Sequence, residues 1–321
     1  MARRPSTEEA LASIRAIRDA PEKYDLKRDL APFLRHKSNQ AAGAAADTIR
    51  RFEAVALAKD LVEAFPEWLK AASSRDPGCR ALTSIAQALA EMDHPASEVY
   101  LAGIRYVQKE ASFGPPVDTA AALRGICAQG LARMSHPDTL EQCVTLLADP
   151  EVPARTGSVR AISETGQVAG VLLLRFKALV GDADEDVTAE CFAGLLRIAP
   201  AESLEFVAKF LDSDADEISE RAALALGESR MAAAFPLLRN AWDATANASR
   251  RRTLLLAMAM LRLDEAVEFL LARLSEDSEK PAGDALAALG LYGRDETVRK
   301  RVDEILATRN SPALHAKWHE Q

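Results

Sequence analysis

The sequence is poor in aromatic residues. Phe, Trp and Tyr make up 5% of its 321 positions, and Ala and Leu dominate the 48% that is apolar. That balance disfavours a β-rich body, which draws on aromatic and β-branched side chains, and favours closely packed helices. Only four cysteines occur (Cys79, Cys127, Cys143, Cys191), with no CxxC or zinc-type spacing, so they are expected to be buried free thiols in a reducing compartment. No run of apolar residues approaches the length of a membrane span; the longest uncharged one is Leu254 to Leu261. The N-terminus, MARRPSTEEA, carries two arginines but no apolar stretch after them, so it is not expected to act as a secretory signal. A basic surplus is also missing. The net charge is −8, which argues against nucleic acid as the main partner. No P-loop, GxGxxG, HExxH or nucleophile-elbow motif is present, and the sequence offers no candidate catalytic, cofactor-binding or metal-binding residue.

What the chain does have is a period. Leu147, Leu179, Leu211, Trp242, Leu274 and Leu306 recur at intervals of 32, 32, 31, 32 and 32, and Leu140, Leu172, Leu204, Phe235 and Val267 keep step with them. Such self-similarity marks a solenoid of helical hairpins, each of which must stack on a neighbour to cover its apolar face. The pairs are expected near 25–54, 57–92, 94–134, 136–166, 168–199, 200–230, 231–262 and 263–293, with a closing helix from about 295. An S-x-x-E capping box at Ser6 predicts where the first helix starts. A second register runs through the second helix of each pair: Cys127, Val159, Cys191, Leu224, Leu256 and Ala288 form an apolar column. Three residues on come Gly130, Ile162, Gly194, Gly227, Ala259 and Leu291, mostly small. A glycine inside a helix costs about 1 kcal/mol relative to alanine, so its recurrence points to close backbone packing.

The segments Asp149 to Gly166, Asp216 to Gly227 and Pro281 to Gly290 each pass from a polar turn into an Ala/Leu-rich helix that closes on Gly. In this the chain resembles the HEAT-repeat family, and more narrowly the HEAT-like repeats of phycobilisome lyases. The resemblance covers 94–306 well and 25–93 loosely. It implies an all-α fold: a right-handed α–α superhelix of about eight hairpins in a single domain spanning 1–321, with irregular repeats at 6–93, regular ones at 94–306 and a short tail at 307–321. It implies little about activity, because the same repeat serves scaffolds, adaptors and a few enzymes. Deoxyhypusine hydroxylases of this fold hold iron with repeated His-Glu pairs, and the one His-Glu here is His319-Glu320. HEAT-like alkylpurine DNA glycosylases use a basic concavity, which an acidic chain fits poorly.

Charge follows the repeat. The turns at 149–151, 182–186, 212–217, 243 and 276–279 hold 14 acidic residues and no Lys or Arg. At the far ends of the second helices stand Arg197, Arg230, Arg262 and Arg294, at intervals of 33, 32 and 32. Acids at helix N-termini and cations at C-termini complement the macrodipole; the same ladder also presents an arginine edge to carboxylates or phosphates. Arg250, Arg251 and Arg252 break the rule by opening a helix with three cations. The third pair carries a long turn, SFGPPVD, from which Phe113 is a candidate apolar anchor. These eight residues are the candidate partner-binding set. The expected function is a non-catalytic, cytoplasmic scaffold that binds another protein or peptide and needs no cofactor. The alternatives are an accessory or lyase-like factor acting on another protein's cofactor, and nucleic-acid binding along the arginine ladder.

Overall fold

The computed structural model describes residues 5–309 and 311–319. They form nineteen α-helices and one two-stranded ribbon, an all-α helical-repeat fold. The chain divides into two compact units, Met1–Gly170 and Val171–Gln321.

The first unit opens with α1 (Thr7–Asp19). Ser6 caps it: its hydroxyl accepts from the Glu9 amide at 3.2 Å while the Ser6 amide donates to the Glu9 carboxylate at 2.6 Å. Four hairpins follow: α2 (Leu26–Leu34) with α3 (Asn39–Arg51), α4 (Ala58–Arg75) with α5 (Arg80–Glu91), α6 (Ser97–Gly103) with α7 (Ala121–Arg133), and α8 (Thr139–Leu147) with α9 (Val152–Thr165). The second helices stack in sequence, α1 on α3, α3 on α5, α5 on α7 and α7 on α9. The tightest approach is between α7 and α9, where a Cβ on Gly157 would run into the Cα of Gly125.

α10 (Val168–Val180), most of which belongs to the second unit, precedes α11 (Glu185–Ile198). Then come α12 (Pro200–Ala208) with α13 (Asp216–Glu228), α14 (Ala234–Ala244) with α15 (Ala248–Met260), α16 (Asp264–Glu276) with α17 (Glu279–Leu289), and α18 (Glu296–Arg309) with α19 (Pro312–His319). Again the second helices stack, from α11 through α13, α15 and α17 to α19. The expected closing helix is α18. Residues 312–319, read from sequence as part of a tail, are a helix that buries Leu314 and Trp318, making a ninth hairpin.

The two sequence columns hold in most repeats, with Leu140 half-buried and one helix departing outright. Leu147, Leu211, Trp242, Leu274 and Leu306 are buried, as are Leu204, Phe235 and Val267, whereas Leu172 and Leu179 on α10 are 71% and 68% exposed. Leu256 and Leu291, read as members of the inner columns, are partly exposed as well. The four cysteines are buried and free. Burial pushes the thiols of Cys79, Cys143 and Cys191 up to about 12 and raises that of Cys127 further.

Three features escaped the periodicity. The long turn after α6 forms an antiparallel ribbon, β1 (Lys109–Glu110) with β2 (Val117–Asp118), in which Lys109 faces Asp118 and Glu110 faces Val117. Behind it lies a buried ionic cluster. Arg124 donates to Asp118 at 2.8 Å, to both oxygens of Asp149 at 2.9 Å and to the Tyr106 carbonyl at 3.0 Å. Arg155 fastens the same turn through the carbonyls of Asp149 and Pro150, each at 2.9 Å. An Asp six residues before an Arg, at 118/124 and 149/155, is the sequence trace of this arrangement. Finally, Glu53, Asp93, Ser135, Gly166, Arg230 and Arg262 each follow a second helix with positive φ. They occupy the left-handed position that terminates a helix, usually filled by glycine.

Candidate functional site

The candidate partner-binding residues take three kinds of position. Arg250 and Arg251 are structural. Arg250 pairs with Asp216 of the preceding repeat and donates to the Ser213 carbonyl at 2.6 Å. Arg251 donates to the Thr245 carbonyl at 2.6 Å and lies over the Trp242 ring, 4.8 Å from its centroid. The apparent conflict with the helix dipole is thereby resolved: acids and carbonyls from neighbouring turns neutralise the cations, and Asn247 caps α15 by accepting from the Ser249 and Arg250 amides. Arg252 remains exposed on the same helix. Phe113 stands fully exposed at the tip of the ribbon, where Ser112 donates to the Pro115 carbonyl at 2.7 Å and holds the turn.

The arginine ladder is in part a set of helix ends. Arg230 and Arg262 are the left-handed residues after α13 and α15, and Arg197 sits exposed in the last turn of α11. The acidic turns are drawn inward in the same way, through ion pairs and hydrogen bonds between successive repeats: Asp186 with Arg221, Asp216 with Arg250, and Glu279 with Ser311. Much of the charge that sequence reading assigned to two open edges therefore binds one repeat to the next.

At the end of the second unit the ladder gains a different setting. Two cavities, of about 810 and 680 Å³, share Arg262, Leu291 and Arg294 as lining. Arg262 is the fixed wall between them: it donates to the Leu291 carbonyl at 2.8 Å and covers the Tyr292 ring at 4.7 Å. The buried Tyr292 hydroxyl in turn donates to the Ala259 carbonyl at 2.8 Å. In the larger cavity Arg301 and Glu268 pair, with one contact at 2.7 Å, which raises the guanidinium and lowers the carboxyl relative to their ordinary values. The smaller cavity is lined by Arg294, Arg299 and Trp318. Arg294 and Arg299 are exposed, and neither forms an ion pair among the described residues. Leu291 presents 40% of its surface between them.

The site thus combines two guanidinium groups without an ion pair among the described residues, an exposed leucine and the wall of an indole. Cations of this kind receive carboxylates in two-pronged fashion, and the apolar surface receives a side chain. Arg262 and Arg294 were legible from the ladder. Arg299, Arg301 and Trp318 were not, because they come from α18 and α19, beyond the last repeat in the register. Among the described residues no cluster of three or more His, Cys, Asp or Glu is placed to hold a metal ion, and no helix is long and apolar enough to cross a membrane.

With the geometry described, comparison with known proteins finds a family match over part of the chain. The segment 172–259 matches the family model for HEAT repeats. Solved structures to which the chain is similar include the Escherichia coli protein YibA, at 16% identity and a TM-score of 0.46, covering 90% of this chain and 99% of that one. The CpcE–CpcF complex of phycocyanin lyase from Nostoc sp. PCC7120 aligns at 12% identity and a TM-score of 0.36, over 88% and 94% of the two chains. Human deoxyhypusine hydroxylase aligns at 16% identity and 0.33, over 89% and 99%. No protein of curated function matches the sequence. The HEAT-repeat segment runs from α10 to α15, so the arginine-lined cavities lie just beyond it, on the repeats that close the chain.

Proposed function

We propose that this chain is a non-catalytic protein-binding scaffold whose C-terminal cleft receives an acidic segment of a partner protein. The observation that carries the reading is the pairing of Arg294 and Arg299, free of ion pairs among the described residues, with the exposed Leu291 in one cavity. Helical repeats present such a surface on a preorganised frame, so little ordering entropy is lost when a peptide docks. Arg197, Arg230 and Arg252 are exposed on the same unit and provide secondary contacts, as Phe113 does on the first unit. The four reduced thiols fit a cytoplasmic setting. The likeness to phycocyanin lyase concerns the fold and assigns no cofactor chemistry. Nucleic-acid binding along the ladder has less support, because Arg262 is held by the Leu291 carbonyl and the Tyr292 ring, and the neighbouring Arg250 and Arg251 are likewise held by a carboxylate, carbonyls and a ring within the fold.

Affinity capture with wild-type and R294E/R299E baits, read by mass spectrometry, tests the reading. Partners retained by the wild type and lost by the variant are the expected result, with binding that weakens as salt rises. Identical sets captured by both baits, in a variant with an unchanged circular dichroism spectrum, overturn it.

A further inference from the structure

The break in the repeat columns falls on one helix. Along α10, Val168, Leu172, Phe176, Leu179 and Val180 are each 60 to 80% exposed, while Val171, Leu174 and Ala178 on the opposite side are buried. The spacing of 4, 4 and 3 residues keeps the exposed set on one straight stripe. No charge interrupts it: Arg175 is turned away to the Glu202 carbonyl and the Phe206 ring, and Lys177 pairs with Asp182 at 2.8 Å. Isolated exposed leucines need no explanation, but the stripe leaves roughly 600 Å² of contiguous apolar surface open, at the upper limit for a free monomer.

From this stripe we infer that the chain forms a two-fold dimer in which α10 packs antiparallel against α10 of a second copy. The repeat register identifies the kind of surface that fits. Leu172 and Leu179 correspond to Leu204 and Leu211, and to Phe235 and Trp242, all of which are buried in their repeats. The stripe is built for the packing that first helices of this kind make, and a second copy of the chain carries such a helix with the same stripe open. The stripe is also self-complementary. A two-fold axis at the level of residue 174 sets Val168 across from the second copy's Val180, and Leu172 across from its Phe176, so each contact occurs twice, as an isologous interface requires. About 600 Å² from each copy totals about 1,200 Å², which reaches the range of stable, specific interfaces. Chains of net charge −8 repel one another through their polar faces, and an uncharged stripe is where that repulsion is weakest.

Sedimentation equilibrium of the full chain tests the inference. The wild type is expected at twice the 34.7 kDa chain mass at micromolar concentration, and L172E/F176E at 34.7 kDa with an unchanged circular dichroism spectrum, since both side chains start exposed. Mixing separate L172C and F176C variants under mild oxidation is expected to give a disulfide-linked heterodimer faster than either variant gives a homodimer. A wild type that stays monomeric up to about 50 µM overturns the proposal. So does a dimer that survives L172E/F176E, which would place the interface elsewhere. Neither result bears on the cleft, whose residues lie on other helices.

Discussion

Replacing Arg124 with alanine strands two carboxylates inside the first unit. The guanidinium is 4% exposed and satisfies Asp118 (5%) and Asp149 (13%) at 2.8 and 2.9 Å. Removing one partner of a buried ion pair costs about 3–5 kcal/mol, because the other charge keeps its desolvation penalty without its compensation. The Asp118 carboxyl shows the balance in the wild type. Burial alone raises it, but the amides of Ala120 and Gln108 and the guanidinium of Arg124 outweigh burial and hold it below the usual carboxylate range. A carboxyl lowered in the native state contributes stability that is present above its unfolded value, about 3.9, and is lost as pH falls through the native one. Without Arg124 the balance at Asp118 shifts towards burial, so its carboxyl rises. The deficit of R124A is therefore full at pH 7 and shrinks as the solution is acidified towards pH 4.5. Urea denaturation by circular dichroism at the two pH values gives the difference, and hydrogen exchange on peptides from residues 1–170 assigns it to this unit. A loss below about 1 kcal/mol at pH 7, or one indifferent to pH, would refute the reasoning.

Gly157→Ala is expected to lower the melting temperature by several degrees. Alanine gains about 1 kcal/mol in helix propensity, but its Cβ would collide with the Gly125 backbone, and overpacking of this kind costs about 1–3 kcal/mol or more. Gly283→Ala serves as the control: its new methyl meets the flexible end of Lys317 at 3.3 Å, so a neutral or stabilising effect is expected there. For the cysteines, native protein at pH 8 is expected to leave Cys79, Cys143 and Cys191 unreactive towards Ellman's reagent, since thiols at about 12 are ionised to roughly one part in ten thousand. All four thiols should react in denaturant, and rapid labelling of the native chain would show that burial has been misjudged.

How much was legible follows from what each feature depends on. Helix pairs, their boundaries and the capping box at Ser6 were readable because local propensity and a period of about 32 residues encode them directly. The inner columns were readable for the same reason, since Cys127, Val159 and Cys191 face a neighbour whichever repeat supplies it. The charges were not. Arg250 and Arg230 are both arginines at a helix end, yet one is held by an acid of the preceding repeat while the other ends its helix in a left-handed turn. Arg299 and Trp318 belong to helices outside the register, and nothing one-dimensional brings them beside Arg294.

The chain's order of residues alone determined that it would be a stack of helical hairpins, because hydrophobic spacing along one helix is a local property. Which of its apolar and charged side chains would remain free was decided only in three dimensions. Leu172 and Leu204 are the same residue at the same repeat position, and one is open while the other is buried. Burial depends on what lies alongside, and a periodic sequence repeats the side chain without repeating its neighbour.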